Sequence, residues 1–230
     1  MKDIWHEYST SPIITHFRWS PLIELAFDTN RELFFSGTTV EQYLSQQPFN
    51  TSNAERYSMV PGLLAIHVRR GDFEDHCTHL ANWSSDYVSF CSFQELPDQF
   101  SPPPHEEWGT NTPANHAIYK ARCYPSIEQI VRKVHAVRHT EAGLGLRRAY
   151  IMTNGSPDFI RELKLALQAE GEWDEVSSSR DLVLNREQKY VAQAVDMLVG
   201  QRAQVLIGNG VRQLSRAMHL SLIALTMSSV

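Results

Sequence analysis

The sequence predicts an α/β fold, a Rossmann-like open parallel sheet with helices on both faces. Three observations carry that expectation. Leu63-Leu64-Ala65-Ile66-His67-Val68 and Gln204-Val205-Leu206-Ile207-Gly208 are short, continuous apolar runs, as a strand covered on both faces requires. Between them lie segments with helical period: from Pro125 to Thr140, Ile127, Ile130, Val131, Val134 and Val137 share one face. Strand-like and helix-like stretches alternate, which calls for right-handed βαβ units.

Taken in order, residues 1–60 read as a helical N-terminal segment. Pro21 to Phe35 sets Leu22, Ile23, Leu25, Ala26, Leu33 and Phe34 along one helical face, Gly37 is a stop, and Thr38 to Gln47 is a second short helix. Glu24, Asp28 and Glu32 read as a solvated helix face rather than as acid–base groups. Residues 61–230 read as the sheet domain. Its first strand is followed at 72–124 by a stretch without period that contains Pro102-Pro103-Pro104, a long irregular insertion. Ala149-Tyr150-Ile151-Met152 marks a strand, and Ser156-Pro157 then supplies a cap and a first-turn proline for a helix bearing Phe159, Ile160, Leu163 and Leu167. Trp173 to Val176 reads as a short strand, Arg186 to Arg202 as a helix and Val211 to Thr226 as a closing helix.

Composition narrows the function classes. The 230 residues are 42% hydrophobic, enough for a sizeable core, with a net charge of −5. That balance argues against a general nucleic-acid binder, which needs a basic face to displace counterions. No run of about 18 apolar residues suggests a membrane span. Met1 to Thr10 lacks an apolar signal core, so a cytoplasmic protein and a fragment with its targeting segment upstream both stay open. The three cysteines, Cys77, Cys91 and Cys123, permit at most one internal disulfide. In a secretory setting Cys77 is expected to pair with Cys91 or Cys123; in a reducing one all three stay thiols. Asn50-Thr51-Ser52 and Asn82-Trp83-Ser84 are sequons, which lean toward the secreted setting.

In open α/β sheets ligands bind beyond the carboxyl ends of the strands. Three stretches qualify: His67 to Phe73, Thr153 to Asp158 and Asn209 to Ser215. The first is the richest, since a buried strand runs straight into Arg69, Arg70, Gly71 and Asp72. Arginine offers a fixed fork of donors and permanent charge that suit phosphate oxygens. The plainer reading is an exposed loop with an Arg–Asp ion pair. Other phosphate motifs are absent: there is no Gly-x-x-x-x-Gly-Lys, and Gly143-Leu144-Gly145 lacks a third glycine and precedes its strand. Asp75-His76-Cys77-Thr78-His79 matches no zinc spacing, and no metal site is expected.

Leu64-Ala65-Ile66-His67-Val68-Arg69-Arg70-Gly71-Asp72-Phe73 resembles the first nucleotide-sugar motif of the GDP-fucose protein O-fucosyltransferase-like family, whose fungal-type members are related to the α1,6-fucosyltransferases. Tyr150-Ile151-Met152-Thr153-Asn154 is similar to the family's second strand. Asp196-Met197-Leu198-Val199 with Ala203-Gln204-Val205-Leu206-Ile207-Gly208-Asn209 is similar to its late motif, and Cys123-Tyr124-Pro125 to its fungal-type helix start.

The resemblance implies the C-terminal, donor-binding half of a GT-B glycosyltransferase, with residues 1–60 as a remnant of the interdomain region. It implies an inverting, metal-independent fucosyl transfer from GDP-fucose without a cofactor, an unidentified protein or glycan acceptor, and a secretory-lumen location (ER or Golgi). Arg69 would be the catalytic cation on the diphosphate. His67, Arg70, Asp72, Asn154, Asp196 and Asn209 would line the donor pocket. Arg212 and Gln213 stand where the family places serine or threonine pairs, and Arg212 would replace their hydroxyls with a cation. A degenerate, non-catalytic nucleotide-sugar-binding module is the alternative reading.

Overall fold

The computed structural model describes residues 5–37, 41–87, 100–104, 107–208 and 223–226. The chain opens with short helices α1 (Trp5–Thr10) and α2 (Pro12–Thr15), the longer α3 (Pro21–Thr29) and the single turn α4 (Asn53–Arg56). Strand β1 (Val60–His67) follows, then α5 (Phe73–Asn82), α6 (Pro113–Cys123), α7 (Ile127–Arg138), β2 (Arg148–Met152), α8 (Pro157–Ala169), β3 (Glu175–Ser178), α9 (Ala192–Arg202), β4 (Ala203–Gly208) and β5 (Ile223–Thr226).

Among the described residues the strands form one sheet of five in the order β3-β2-β1-β4-β5, and every neighbouring pair is parallel. The α/β class expected from the alternating pattern is therefore observed. The fifth strand differs from expectation. Thr38 to Gln47 and Val211 to Thr226 were both expected to be helical, yet Ile223–Thr226 pairs with β4 as an edge strand, and residues 209–222 lie outside the described residues. Isoleucine and threonine are β-branched and tolerate an extended chain well, so an open sheet edge beside them outweighs a weak helical period. Of the second short helix, only a 3-10 turn at Leu44–Gln46 is present among the described residues.

Strand alternation sorts the core into two layers. Leu63 and Ala65 of β1, with Tyr150 and Met152 of β2 and Leu206 of β4, pack against Ile23 and Phe27 of α3 and Val195 and Leu198 of α9. Leu64 and Ile66, with Ala149, Ile151, Val205 and Ile207, face Ile130, Val134 and Val137 of α7 and Leu163 and Leu167 of α8. Both layers are needed because a parallel strand in mid-sheet exposes neither face to water. Ser126 opens α7 with a capping box and Ser156 opens α8 by accepting the Phe159 N–H at 3.2 Å, so each helix start is set locally.

The stretch 72–124 is less irregular than its sequence suggests. It holds α5 and α6, which pack through a separate small core of Phe73, Cys77, Ala81, Tyr87, Tyr119 and Cys123. Cys77 and Cys123 are joined by a disulfide with Cα atoms 5.9 Å apart, one of the two pairings expected. Cys91 lies outside the described residues. The helical pattern of this stretch was hidden because its apolar residues serve a two-helix satellite core rather than one long stripe.

The segment before β1 shares the first core layer through Trp19, Phe27, Phe34, Leu44 and Tyr57. Of the three carboxylates expected on a solvated face, Glu24 and Asp28 prove to be buried, while Glu32 is exposed. Glu24 accepts two hydrogen bonds from Arg56, at 2.7 and 2.5 Å, and one from the Tyr57 hydroxyl at 2.6 Å. Asp28 accepts the backbone N–H groups of Leu44 and Ser45 at 2.9 and 2.8 Å. Arg56 also donates to the carbonyls of Leu44, Gln47 and Pro48, so one ion pair ties the loop 44–48 to α3. Removing one member of a fully buried pair strands the other charge. Glu24→Ala is expected to lose roughly 3–5 kcal/mol of stability, the range for a broken buried ion pair. Urea unfolding measures it, and a loss under about 1 kcal/mol, the ordinary value for a surface pair, would show that the network carries no such weight.

Candidate functional site

The order β3-β2-β1-β4-β5 has its switch point between β1 and β4. The chain steps outward from β1 through β2 to β3, then returns to the other side of β1 with β4. A crevice beyond the carboxyl ends at such a point is where open α/β sheets hold ligands. His67 ends β1 and stands in register with Met152 of β2 and Gly208 of β4, and the Val68 N–H still donates to the Met152 carbonyl at 3.0 Å. The chain then turns through Arg69 to Asp72 into α5.

That turn is fixed by Asn154, which lies just past β2. Its side-chain oxygen accepts the Arg70 backbone N–H at 2.7 Å. Gly71 has φ +65°, and a Cβ there would sit 3.1 Å from the Asn154 amide nitrogen. Both the left-handed backbone and the close approach call for glycine. Asn154 thus acts as a bracket between the loops after β1 and β2.

The two adjacent arginines diverge. The Arg70 guanidinium is buried, 4.2 Å from the Tyr124 ring centroid and 4.3 Å from that of Phe159, and it donates to the Pro125 carbonyl. Burial pushes its pKa down from the ordinary arginine value, with the Tyr124 contact opposing. Arg70 therefore braces the loop against α8 and the start of α7, and its charge is directed inward rather than toward a ligand. Arg69 points the other way. Its guanidinium is 5.2 Å from the Phe73 ring centroid and 3.4 Å from an Asp72 carboxylate oxygen. The Asp72 side chain is 76% exposed against 26% for Arg69, so this pair is a surface contact of little strength. Both readings of the motif meet here: the ion pair exists, and Arg69 stays part-exposed in the turn beyond the carboxyl end of β1.

Asp196 of α9 lies over the first core layer. Tyr150 donates to one of its oxygens at 2.7 Å and Ser179 to the other at 2.8 Å. Burial raises the Asp196 carboxyl to about 6, against the lowering effect of those two donors, and pushes the Tyr150 hydroxyl well above its usual value. The structure thus gathers Arg69, Arg70, Asp72 and Asn154 around one turn, with His67 in the ladder beneath it. Asp196 is engaged with β2 and the turn after β3. Asn209, Arg212 and Gln213 lie outside the described residues.

Tyr124, Phe159 and Ser179 were not among the residues expected at the site. No local spacing links them to Arg70 or Asp196; only Cys123-Tyr124-Pro125 stood out, and for its helix start. Among the described residues no group of three His, Cys, Asp or Glu side chains is placed to hold a metal ion, and no helix is long and apolar enough to cross a membrane. A cleft of about 750 Å³ is lined by Asp28, Arg31, Tyr43 and Arg148 and not by the turn after β1. Arg148 opens β2, so this cleft belongs to the amino end of the sheet.

The Asp196 carboxyl makes stability depend on pH. Its folded value of about 6 lies above the ordinary 3.8. The folded chain therefore keeps a proton that the unfolded chain releases between those values, a contribution present in full below about 4 and lost as pH rises through about 6. Asp196→Asn cannot titrate. The melting temperature of Asp196→Asn relative to wild type is expected to climb between about pH 4 and about pH 8; a constant difference would show that Asp196 is not held in this state.

No protein-family model matches the sequence, and no curated protein matches it. Solved structures show a partial likeness to the chain. A structure of POFUT1 in complex with GDP is 16% identical with a TM-score of 0.44, over 82% of this chain and 52% of that one. A structure of POFUT1 in complex with GDP-fucose is 18% identical with a TM-score of 0.44, over 75% of this chain and 45% of that one. The chain spans about half the length of these structures.

Proposed function

We propose that this chain is a donor-binding half of a GDP-fucose-dependent fucosyltransferase-like protein in which Arg69 holds the nucleotide diphosphate. The observation that carries the reading is the place of Arg69: a part-exposed guanidinium in the first turn beyond the central strand, at the switch point of a parallel sheet. The resemblance of the run from Leu64 to Phe73 to the family's first motif agrees with that placement. Asn154 and Arg70 are positioning residues in this account, one bracketing the turn and the other bracing it from within. As the bond from fucose to the β-phosphate breaks, negative charge grows on the phosphate, and a fixed cation there favours the transition state over the ground state. The reading supplies an inverting transfer without metal in the secretory lumen, with the acceptor still to be identified.

The loss of one charge-assisted contact costs roughly 1.5–3 kcal/mol, or about 10- to 150-fold in affinity. Calorimetric titration with GDP is expected to show that weakening for Arg69→Ala. The exposed Arg161→Ala serves as the control and is expected to bind as wild type does. Equal GDP affinities for wild type and a folded Arg69→Ala would remove the diphosphate assignment.

The non-catalytic alternative has its own support. Among the described residues before Val60 there are helices and no strand, so nothing there builds a second sheet to face an acceptor. Holding two reactants together supplies about 7–11 kcal/mol of barrier reduction, and a donor site alone gives up much of that. The chain by itself is therefore expected to bind GDP-fucose and transfer fucose poorly or not at all. The measurement is GDP release with a panel of peptide and glycan acceptors. Release well above hydrolysis, lost in Arg69→Ala, would establish this chain as an enzyme in its own right.

A further inference from the structure

We infer that Asn50 is a site of N-linked glycosylation, on a turn that the fold prepares and leaves in solvent. The inference stands apart from the nucleotide reading and rests on three observations. Asn50-Thr51-Ser52 is a complete acceptor triplet with no proline in the middle. Asn50 is exposed, and its neighbour Phe49 is 74% exposed. Cys77 and Cys123 form a disulfide, a bond that persists in the oxidising compartments where such glycans are added.

The turn is rigid at its base and open at its tip. Buried Arg56 donates to the carbonyls of Gln47 and Pro48 at 3.2 Å each. The Thr51 N–H and hydroxyl both donate to the Pro48 carbonyl, at 3.1 and 2.8 Å, and Arg18 donates to the Thr51 carbonyl. Ser52 caps α4 in a reciprocal box with Glu55. These bonds use backbone carbonyls and the Ser52 and Thr51 hydroxyls, and they hold Asn50 outward between them. A glycan on Asn50 therefore displaces no packed side chain. The second triplet differs in its asparagine: Asn82 is the last residue of α5 and is half-buried, whereas Asn50 is exposed.

The reaction is a group transfer from a lipid-pyrophosphate-linked oligosaccharide, catalysed by the host's oligosaccharide-transferring enzyme. A bond forms between the Asn50 amide nitrogen and the anomeric carbon of the first sugar. The bond from that carbon to the pyrophosphate oxygen breaks, the lipid pyrophosphate leaves, and the amide nitrogen gives up one proton. No oxidant or reductant is consumed.

The test is expression of the full chain behind a cleavable secretion signal in a eukaryotic host, with the secreted and membrane-fraction proteins both collected. Treatment with an amidase that cleaves N-glycans, in oxygen-18 water, converts each modified asparagine to labelled aspartate. Peptide mapping is expected to find that label at position 50. Asn50→Gln and Ser52→Ala are each expected to lose one glycan step in gel mobility, Ser52→Thr to keep it, and Asn82→Gln to leave the step at 50 in place. Because Ser52 also caps α4, the unmodified bacterial forms of these variants are checked for folding by thermal melting. An unlabelled position 50 in chain that has entered the lumen, or an unchanged ladder in Asn50→Gln, would overturn the assignment.

Discussion

Strand β1 is hydrogen-bonded on both edges, to β2 and to β4, and buried on both faces. From Leu63 to Ile66 neither edge nor face is available to water, so the side chains there are all apolar, and the layers above and below have to exist before the strand is stable. Leu63 and Ala65 meet α3 and α9, while Leu64 and Ile66 meet α7 and α8. The elements that cover β1 come from both the start and the end of the chain, so the strand ties the early helices to the sheet. The chain recovers polar freedom only past His67, and that is where the charged turn begins.

The turn shows how burial divides two identical residues. Arg70 loses solvent and is repaid by two aromatic faces and the Pro125 carbonyl, an environment suited to the weakly hydrated, planar guanidinium. Arg69, one position earlier, keeps part of its exposure beside Asp72 and the Phe73 ring. The Arg70 anchor and the Asn154 bracket both act on residue 70, so they set where the neighbouring Arg69 side chain starts. A part-exposed cation whose backbone is held by a buried one is preorganised, since the loop that carries it is already ordered.

Charges elsewhere follow the same rule. Glu24 and Asp28 sit on a helix that looks amphipathic in sequence, yet both are buried and both are saturated with donors. Asp196 is similar, with Tyr150 and Ser179 on its two oxygens. In each case the carboxylate organises loops that have no regular structure of their own: 44–48, and the turn after β3. The small core of α5 and α6 is closed covalently instead, by the disulfide between residues 46 positions apart, a crosslink that restricts the unfolded chain.

Much of the fold was legible from local pattern. The short apolar runs around Leu64 and Leu206 fit a strand covered on both faces, and Ser126 and Ser156 cap helices through atoms within three residues of themselves. The Arg-Arg-Gly-Asp turn was legible as a site because its chemistry is contiguous. What the sequence left open depends on atoms distant along the chain. Asn154 reaches Arg70 across 84 positions, Tyr150 reaches Asp196 across 46, and Arg56 reaches Glu24 across 32. Which cysteine joins Cys77, which arginine turns inward, and whether Ile223–Thr226 forms a helix or an edge strand were likewise decided by packing. Local spacing determines which groups are present and which way a strand or helix can face; only the folded chain determines which of them lose their water, and desolvation is what separates a structural charge from one left to meet a ligand.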